Sequence, residues 1–229
     1  RCHKTTGHGT QTFTQTVMNS CNPAFIEWGR RVGVDNFYTY IDKLGLTSKT
    51  GIDIAGEAGT IIHKKENVGE VELATMSFGQ SFQLTPMQML RAAAAIVNGG
   101  NLVTPHFAIR TCAADKTTYS EFSYSTTQEA VSKETSDTMK DILRQVVEEG
   151  GGKNAYIEGF SIGGKTATSQ KLPRGSGKYI ASFIGFSDVT DPSVIAMCLI
   201  DEPQGVYYGG TIAAPVIREL YDNILPYMD

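Results

Sequence analysis

Two short stretches carry residue types that can do chemistry: "GFSIGGKTATSQ" at 159–170 and "MNSCNPAF" at 18–25. In the first, Gly159, Gly164, Lys165 and Thr166 fit G-x-x-x-x-G-K-[ST], the pattern of a phosphate-cradling loop. The apolar, acid-tipped run "VIAMCLIDE" at 194–202 has the look of a strand that would hold a magnesium ion beside it. Such a loop needs its lysine at the start of a helix, where free backbone N–H groups and the helix dipole meet the anion. After Lys165, however, "TATSQKLPRGSG" runs through two threonines and a serine into a turn signal, which leaves no room for a useful helix. A nucleoside triphosphatase is the poorer reading. The better one is a strand along a cleft edge, with Lys165 and Ala167 on one face and Thr166 and Thr168 on the other. A lysine beside hydroxyl groups suits a site that binds a carboxylate and moves protons.

The second stretch supplies Ser20-Cys21-Asn22, an S-x-N tripeptide between two helical patterns. Local helix capping would explain it in isolation. Together with a K-T-(small)-T segment on a later strand it becomes more specific. Metal chemistry has less support. Cys2, Cys21, Cys112 and Cys198 lie far apart with no C-x-x-C pair, and His3, His8, His63 and His106 lack H-E-x-x-H spacing. His3 and His8 could meet at a metal, but capping or solvent exposure is the simpler account, so no metal and no cofactor is expected.

The elements that must position these residues divide the chain in two. Apolar residues recur at helical intervals over 14–46, with breaks expected at Asn22-Pro23 and at Gly33. The glycine-rich "TGIDIAGEAG" that follows reads as extended or turning chain. Thr85 can cap and Pro86 can start a helix that ends at Gly99-Gly100. A second helix follows Ser132, with Met139, Ile142, Leu143, Val146 and Val147 as a core-packing stripe. The last third holds three strand-like runs, "AYIEGFSIGGKTATSQ", "KYIASFIGFSDV" and "SVIAMCLIDEP", and then a closing helix, "APVIRELYDNILPYM". Connections this short favour hairpins and an antiparallel sheet. The expected class is α+β, one domain over 1–229, with a helical lobe at about 10–150 and sheet strands plus a C-terminal helix at about 154–229.

Bulk properties agree. The 229 residues are 41% hydrophobic and 19% charged, as in ordinary soluble globular proteins, and can bury a sizeable core. A formal charge of −4 with scattered Lys and Arg gives no electrostatic footprint for nucleic acid. No run reaches the ~18 apolar residues of a membrane span.

Taken in order, "HGTQTFTQTVMNSCNPAF", "KTGIDIAGE", "FGQSFQLTPMQMLRAAAAIVNGG", "VVEEGGGKNAYIEGFSIGGKTATSQK", "ASFIGFSD" and "GGTIAAPVIREL" resemble the class B, high-molecular-mass penicillin-binding proteins, over almost the whole chain. The flavour is similar to the sporulation-type and division-type members. The resemblance implies the penicillin-binding transpeptidase (β-lactamase-like) fold, an antiparallel sheet flanked by helices with the site between a helical lobe and the sheet. It also implies a serine D,D-transpeptidase that uses S-x-x-K, S-x-N and K-T-G motifs to cross-link peptidoglycan stem peptides ending in D-Ala–D-Ala. β-Lactam antibiotics would acylate the same serine. Ser20 and Asn22 match the second motif: Ser20 would relay a proton to the leaving group, and Asn22 would hydrogen-bond the substrate backbone. Lys165 matches the third motif and would place positive charge near the Ser20 hydroxyl. Thr166 and Thr168 would bind the terminal carboxylate, and the Thr168 N–H would serve the oxyanion hole. Also implied are a cell-wall glycosyltransferase partner and a place on the extracytoplasmic face of the bacterial cytoplasmic membrane, reached through an anchor outside this chain.

Two features depart from the family pattern. No S-x-x-K occurs in these residues, so the nucleophile is expected upstream of this chain, which alone would form no acyl-enzyme and would hold an N-terminally incomplete sheet with an open edge. Ala167 stands where the family has glycine, which leaves a noncatalytic sensor or binding module as the alternative function.

Overall fold

A computed structural model describes residues 2–173 and 175–228. Helix α1 (Phe13–Met18) opens with a reciprocal cap: Gln15 N–H donates to Thr12 Oγ1, and Thr12 N–H donates to Gln15 Oε1. Helix α2 (Asn22–Lys43) carries Pro23 in its first turn, where the missing N–H would have had no helical partner. The break expected at Asn22-Pro23 therefore falls just before it, at residues 19–21. Gly33, at φ 75° and ψ 163°, interrupts α2 as expected. Helix α3 (Glu70–Ser77) leaves no signal in the sequence: its eight residues bury only Leu73 and Met76, too few to build a period. Helix α4 (Pro86–Val97) begins where its signals put it, with Thr85 and Gln88 capping each other.

Two small antiparallel pairs follow, which the sequence does not signal either. β1 (Leu102–Val103) pairs with β4 (Thr126–Thr127), and β2 (Arg110–Cys112) pairs with β3 (Tyr119–Glu121). Nearly all their residues are exposed, so they leave no inside–outside alternation in the sequence. Helix α5 (Lys133–Glu148) starts at Ser132, whose Oγ accepts from Thr135 N–H.

The main sheet has the order β5-β6-β7, made of β5 (Ile162–Gln170), β6 (Tyr179–Ser187) and β7 (Val194–Asp201), all antiparallel. The first expected strand is shorter than its apolar run, because a 3-10 turn at Lys153–Ala155 and a left-handed Gly159 (φ 87°) occupy the preceding residues. Helix α6 (Gly209–Ile212) and helix α7 (Ala214–Ile224) close the chain over the sheet.

One face of that sheet builds the main core. Phe183 of β6 packs with Ile217 and Tyr221 of α7, Val147 of α5 and Ile162 of β5. Burying Phe183 alone stabilises by roughly 2–3 kcal/mol. A second cluster, Val17, Ile142 and Val146, fixes α1 on α5. Cross-strand partners share a face. Thr166 stands opposite Phe183 and Thr168 opposite Ala181, so both threonines belong to the α7 side. Lys165 stands opposite Ile184 and Ala167 opposite Ser182, on the other side. The expected alternation is present.

At Gly209, two backbones meet with no room for a side chain. A Cβ there would lie 2.2 Å from Ser182 O and 2.4 Å from Ala167 O. Neither carbonyl can yield without bending the sheet, so Gly209→Ala should lose about 2 kcal/mol or more of stability. Thermal unfolding reads this directly. An unchanged midpoint would mean that α6 lifts off β5 at no cost.

Candidate active site

Lys165 lies inside an antiparallel edge strand and not at a helix start, which removes the phosphate-loop reading. The turn between α1 and α2 brings Ser20 to it. Ser20 has a left-handed backbone, φ 46°, and its N–H donates to Val17 O at 3.1 Å while Cys21 N–H donates to Thr16 O at 3.1 Å. A non-glycine residue held at positive φ costs about 1–2 kcal/mol, so the surrounding turn imposes this geometry. Gly151 N–H donates to Met18 O at 3.4 Å and ties the end of α1 to the glycine turn after α5.

Across this junction the Lys165 ammonium donates to Ser20 Oγ, and also to Thr166 O at 3.0 Å. No carboxylate pairs with Lys165 among the described residues. Burial pushes its amine down from 10.5 to about 8, because the charged form has lost water without gaining a counter-ion. The result is a proton-carrying group close to neutrality, aimed at a hydroxyl.

The other residues singled out in the sequence lie on the same two segments. Asn22 is the first residue of α2, and its side-chain amide has no hydrogen-bond partner among the described residues. The Thr166 hydroxyl also lacks one there. Thr168 Oγ1 accepts the Gly209 N–H at 3.1 Å, and its own O–H has no acceptor among the described residues. Ala167 is exposed on the Lys165 side of the strand. Gln80, which the sequence reading did not single out, donates from Nε2 to Ser169 Oγ at 3.1 Å and bridges the loop after α3 to the far end of β5. Its only signal was its place in the "FGQSFQLTP" block. Cys2, His3 and His8 also come together, although no spacing template predicted it.

The strand thus carries two threonine hydroxyls on its α7 face and, with the turn before α2, a lysine–serine pair able to move a proton. No helix among the described residues is long and apolar enough to cross a membrane.

Comparison with known proteins points the same way. The family described as penicillin binding protein transpeptidase domain matches residues 1–222. The chain is 42% identical over 231 residues to stage V sporulation protein D of Bacillus subtilis, covering 99% of this chain and 36% of that protein. It is 30% identical over 214 residues to the probable peptidoglycan D,D-transpeptidase PenA of Neisseria meningitidis, covering 91% of this chain and 35% of that one. The chain thus spans about a third of the length of these curated relatives. Among solved structures, penicillin binding protein 3 of Mycobacterium tuberculosis in complex with aztreonam superposes with a TM-score of 0.86 at 26% identity, over 95% of this chain and 51% of that one.

Proposed function

Since the chain belongs to the penicillin-binding protein transpeptidase domain family, in its class B branch, we propose that it supplies two of the three catalytic motifs of a serine D,D-transpeptidase. The observation that carries this reading is the contact between the Lys165 ammonium and Ser20 Oγ, made between a helical turn and a strand 145 residues apart in sequence.

The nucleophile is then a serine of an S-x-x-K motif outside this chain. Its oxygen attacks the carbonyl carbon of the penultimate D-Ala, the bond to the terminal D-Ala breaks, and the serine keeps the acyl group. Ser20, held by Lys165, passes a proton to the departing amine. The positive charge on Lys165 supports the hydroxyl through that transfer. Asn22 donates to the stem-peptide backbone, and the Thr166 and Thr168 hydroxyls receive the terminal carboxylate. β5 lies at the sheet edge, so part of its backbone is free of the ladder. The Thr168 N–H would use that freedom as an oxyanion-hole donor, a contribution of about 3–4 kcal/mol in other enzymes. A second stem peptide supplies the amine that takes the acyl group and releases the serine. β-Lactams enter by the same route and stay as acyl adducts. We place this chemistry on the extracytoplasmic face of the cytoplasmic membrane, beside a glycosyltransferase that supplies glycan strands. The whole of 1–229 acts as a single domain in this reading, with the cleft between its helical lobe and its sheet.

The direct test supplies the full-length protein with a pentapeptide stem substrate and an amine acceptor, and follows release of D-Ala and the cross-linked product. Turnover supports the proposal. Substrate or penicillin binding without turnover would favour a noncatalytic sensor.

Ala167 tunes the same step. Its methyl projects on the Lys165 side of the strand, where a ligand must approach closely. Ala167→Gly should speed acylation by benzylpenicillin about fivefold, the equivalent of roughly 1 kcal/mol of crowding relieved. Equal rates for the two proteins would show that the methyl is accommodated.

A further inference from the structure

We propose that Cys2, His3 and His8 bind one zinc-class divalent cation, forming a clip on the strap that leads into α1. Their ligand atoms all lie within 4.8 Å of one another. Cys2 Sγ is 3.4 Å from His8 Nδ1 and 3.7 Å from His3 Nδ1. For tetrahedral zinc, with Zn–S near 2.3 Å and Zn–N near 2.0–2.1 Å, the sulfur–nitrogen separation is about 3.6 Å. The two observed distances straddle that value.

Both imidazole Nδ1 atoms converge on the one sulfur, which as a thiolate would turn its lone pairs towards a shared cation. The imidazole rings meet edge to face at 5.4 Å, and a turn closed by Gly7 N–H donating to Lys4 O at 3.0 Å folds His8 back towards Cys2. A borderline-soft ion suits one thiolate and two imidazoles, whereas a hard ion such as magnesium or calcium would ask for oxygen ligands. Binding takes the neutral imidazoles and the Cys2 thiolate and releases the thiol proton to solvent. No fourth protein ligand stands among the described residues, so water fills the remaining position.

The clip bears on the candidate site through one short path. Three residues after His8, Gln11 Oε1 accepts from Asn19 Nδ2 at 2.8 Å, and Asn19 is the neighbour of Ser20. A metal that orders residues 2–8 therefore steadies the strap beside the turn that holds Ser20.

The experiment equilibrates the full-length protein with Zn2+, removes loose metal by gel filtration against a weak chelator, and counts metal per chain. Cobalt(II) loading of the same protein gives the second readout. The expected result is one zinc per chain, a thiolate-to-cobalt charge-transfer band, and a roughly 100-fold or larger rise in zinc Kd for Cys2→Ser and for His8→Asn, since losing a direct ligand outweighs the 10–100-fold typical of its supporting partners. Cys112→Ser, on exposed β2, should keep both metal and band. No stoichiometric zinc in the unaltered protein, or full zinc and an unchanged band in Cys2→Ser, would overturn the proposal.

Discussion

Lys165→Met should slow acylation by benzylpenicillin by about 10³- to 10⁴-fold in the full-length protein, the upper part of the range for a group that holds or moves a catalytic proton. Methionine keeps the length and much of the volume of lysine but donates nothing to Ser20 Oγ, so the strand and its packing should survive. Stopped-flow mixing with a chromogenic β-lactam gives the rate, and thermal unfolding shows that the fold is intact. A folded variant acylated at the original rate would remove Lys165 from the machinery.

The same residue sets two pH dependences. Burial holds the Lys165 amine at about 8, below its ordinary 10.5. Above pH 8 the folded protein loses the charge beside Ser20, so acylation should fall along an alkaline limb with an apparent pKa near 8. Stability moves the other way. Between about pH 8 and 10.5 the unfolded chain binds this proton more tightly than the folded one, so stability gains from Lys165 as pH rises and loses that gain as pH falls through 8. Relative to Lys165→Met, the unaltered protein should therefore become more stable across that window. A parallel pair of stability curves would contradict the burial of the amine.

Ser20→Ala should also cost about 10³-fold in acyl transfer, because the proton relay loses its oxygen while Lys165 keeps only Thr166 O as an acceptor. Comparison with Ser20→Gly separates chemistry from backbone. Ser20 sits at φ 46°, which alanine tolerates no better than serine and glycine adopts freely. Both variants should be equally slow, but Ser20→Gly should unfold at a higher temperature than Ser20→Ala, by the equivalent of about 1 kcal/mol. A fast Ser20→Gly enzyme would show that the hydroxyl is dispensable.

Much of this architecture is legible in the sequence, for physical reasons. Helices α4 and α5 announce themselves through Thr85-Pro86 and Ser132, because a capping side chain must sit at one fixed place. The strand alternation that puts Lys165 opposite Thr166 and Thr168 follows from the period of a β-strand. By contrast α3 has one turn's worth of buried residues, and the β2–β3 pair is exposed throughout, so neither writes a pattern. The meeting of Ser20 with Lys165 could not be read from spacing at all. It came from the family resemblance, and the geometry supplies its contact. Gln80 carries no readable signal of its own, and the His3–His8 pair, weighed for a metal and set aside, gave no hint of Cys2, because each depends on a turn that folds distant or oddly spaced residues together. Gly209 is invisible in sequence for a related reason: its need for no side chain arises from the two carbonyls facing it.

The central claim is that the Ser20–Asn22 turn and the Lys165–Thr168 strand serve a serine nucleophile lying outside these residues. It is tested most directly by the intact mass of the full-length protein before and after incubation with benzylpenicillin, followed by peptide mapping. The account predicts a gain of one penicillin on the serine of an S-x-x-K segment, abolished on the same timescale by Lys165→Met. A full-length protein that contains S-x-x-K and gains no mass, or one that gains it equally with Lys165→Met, would contradict it.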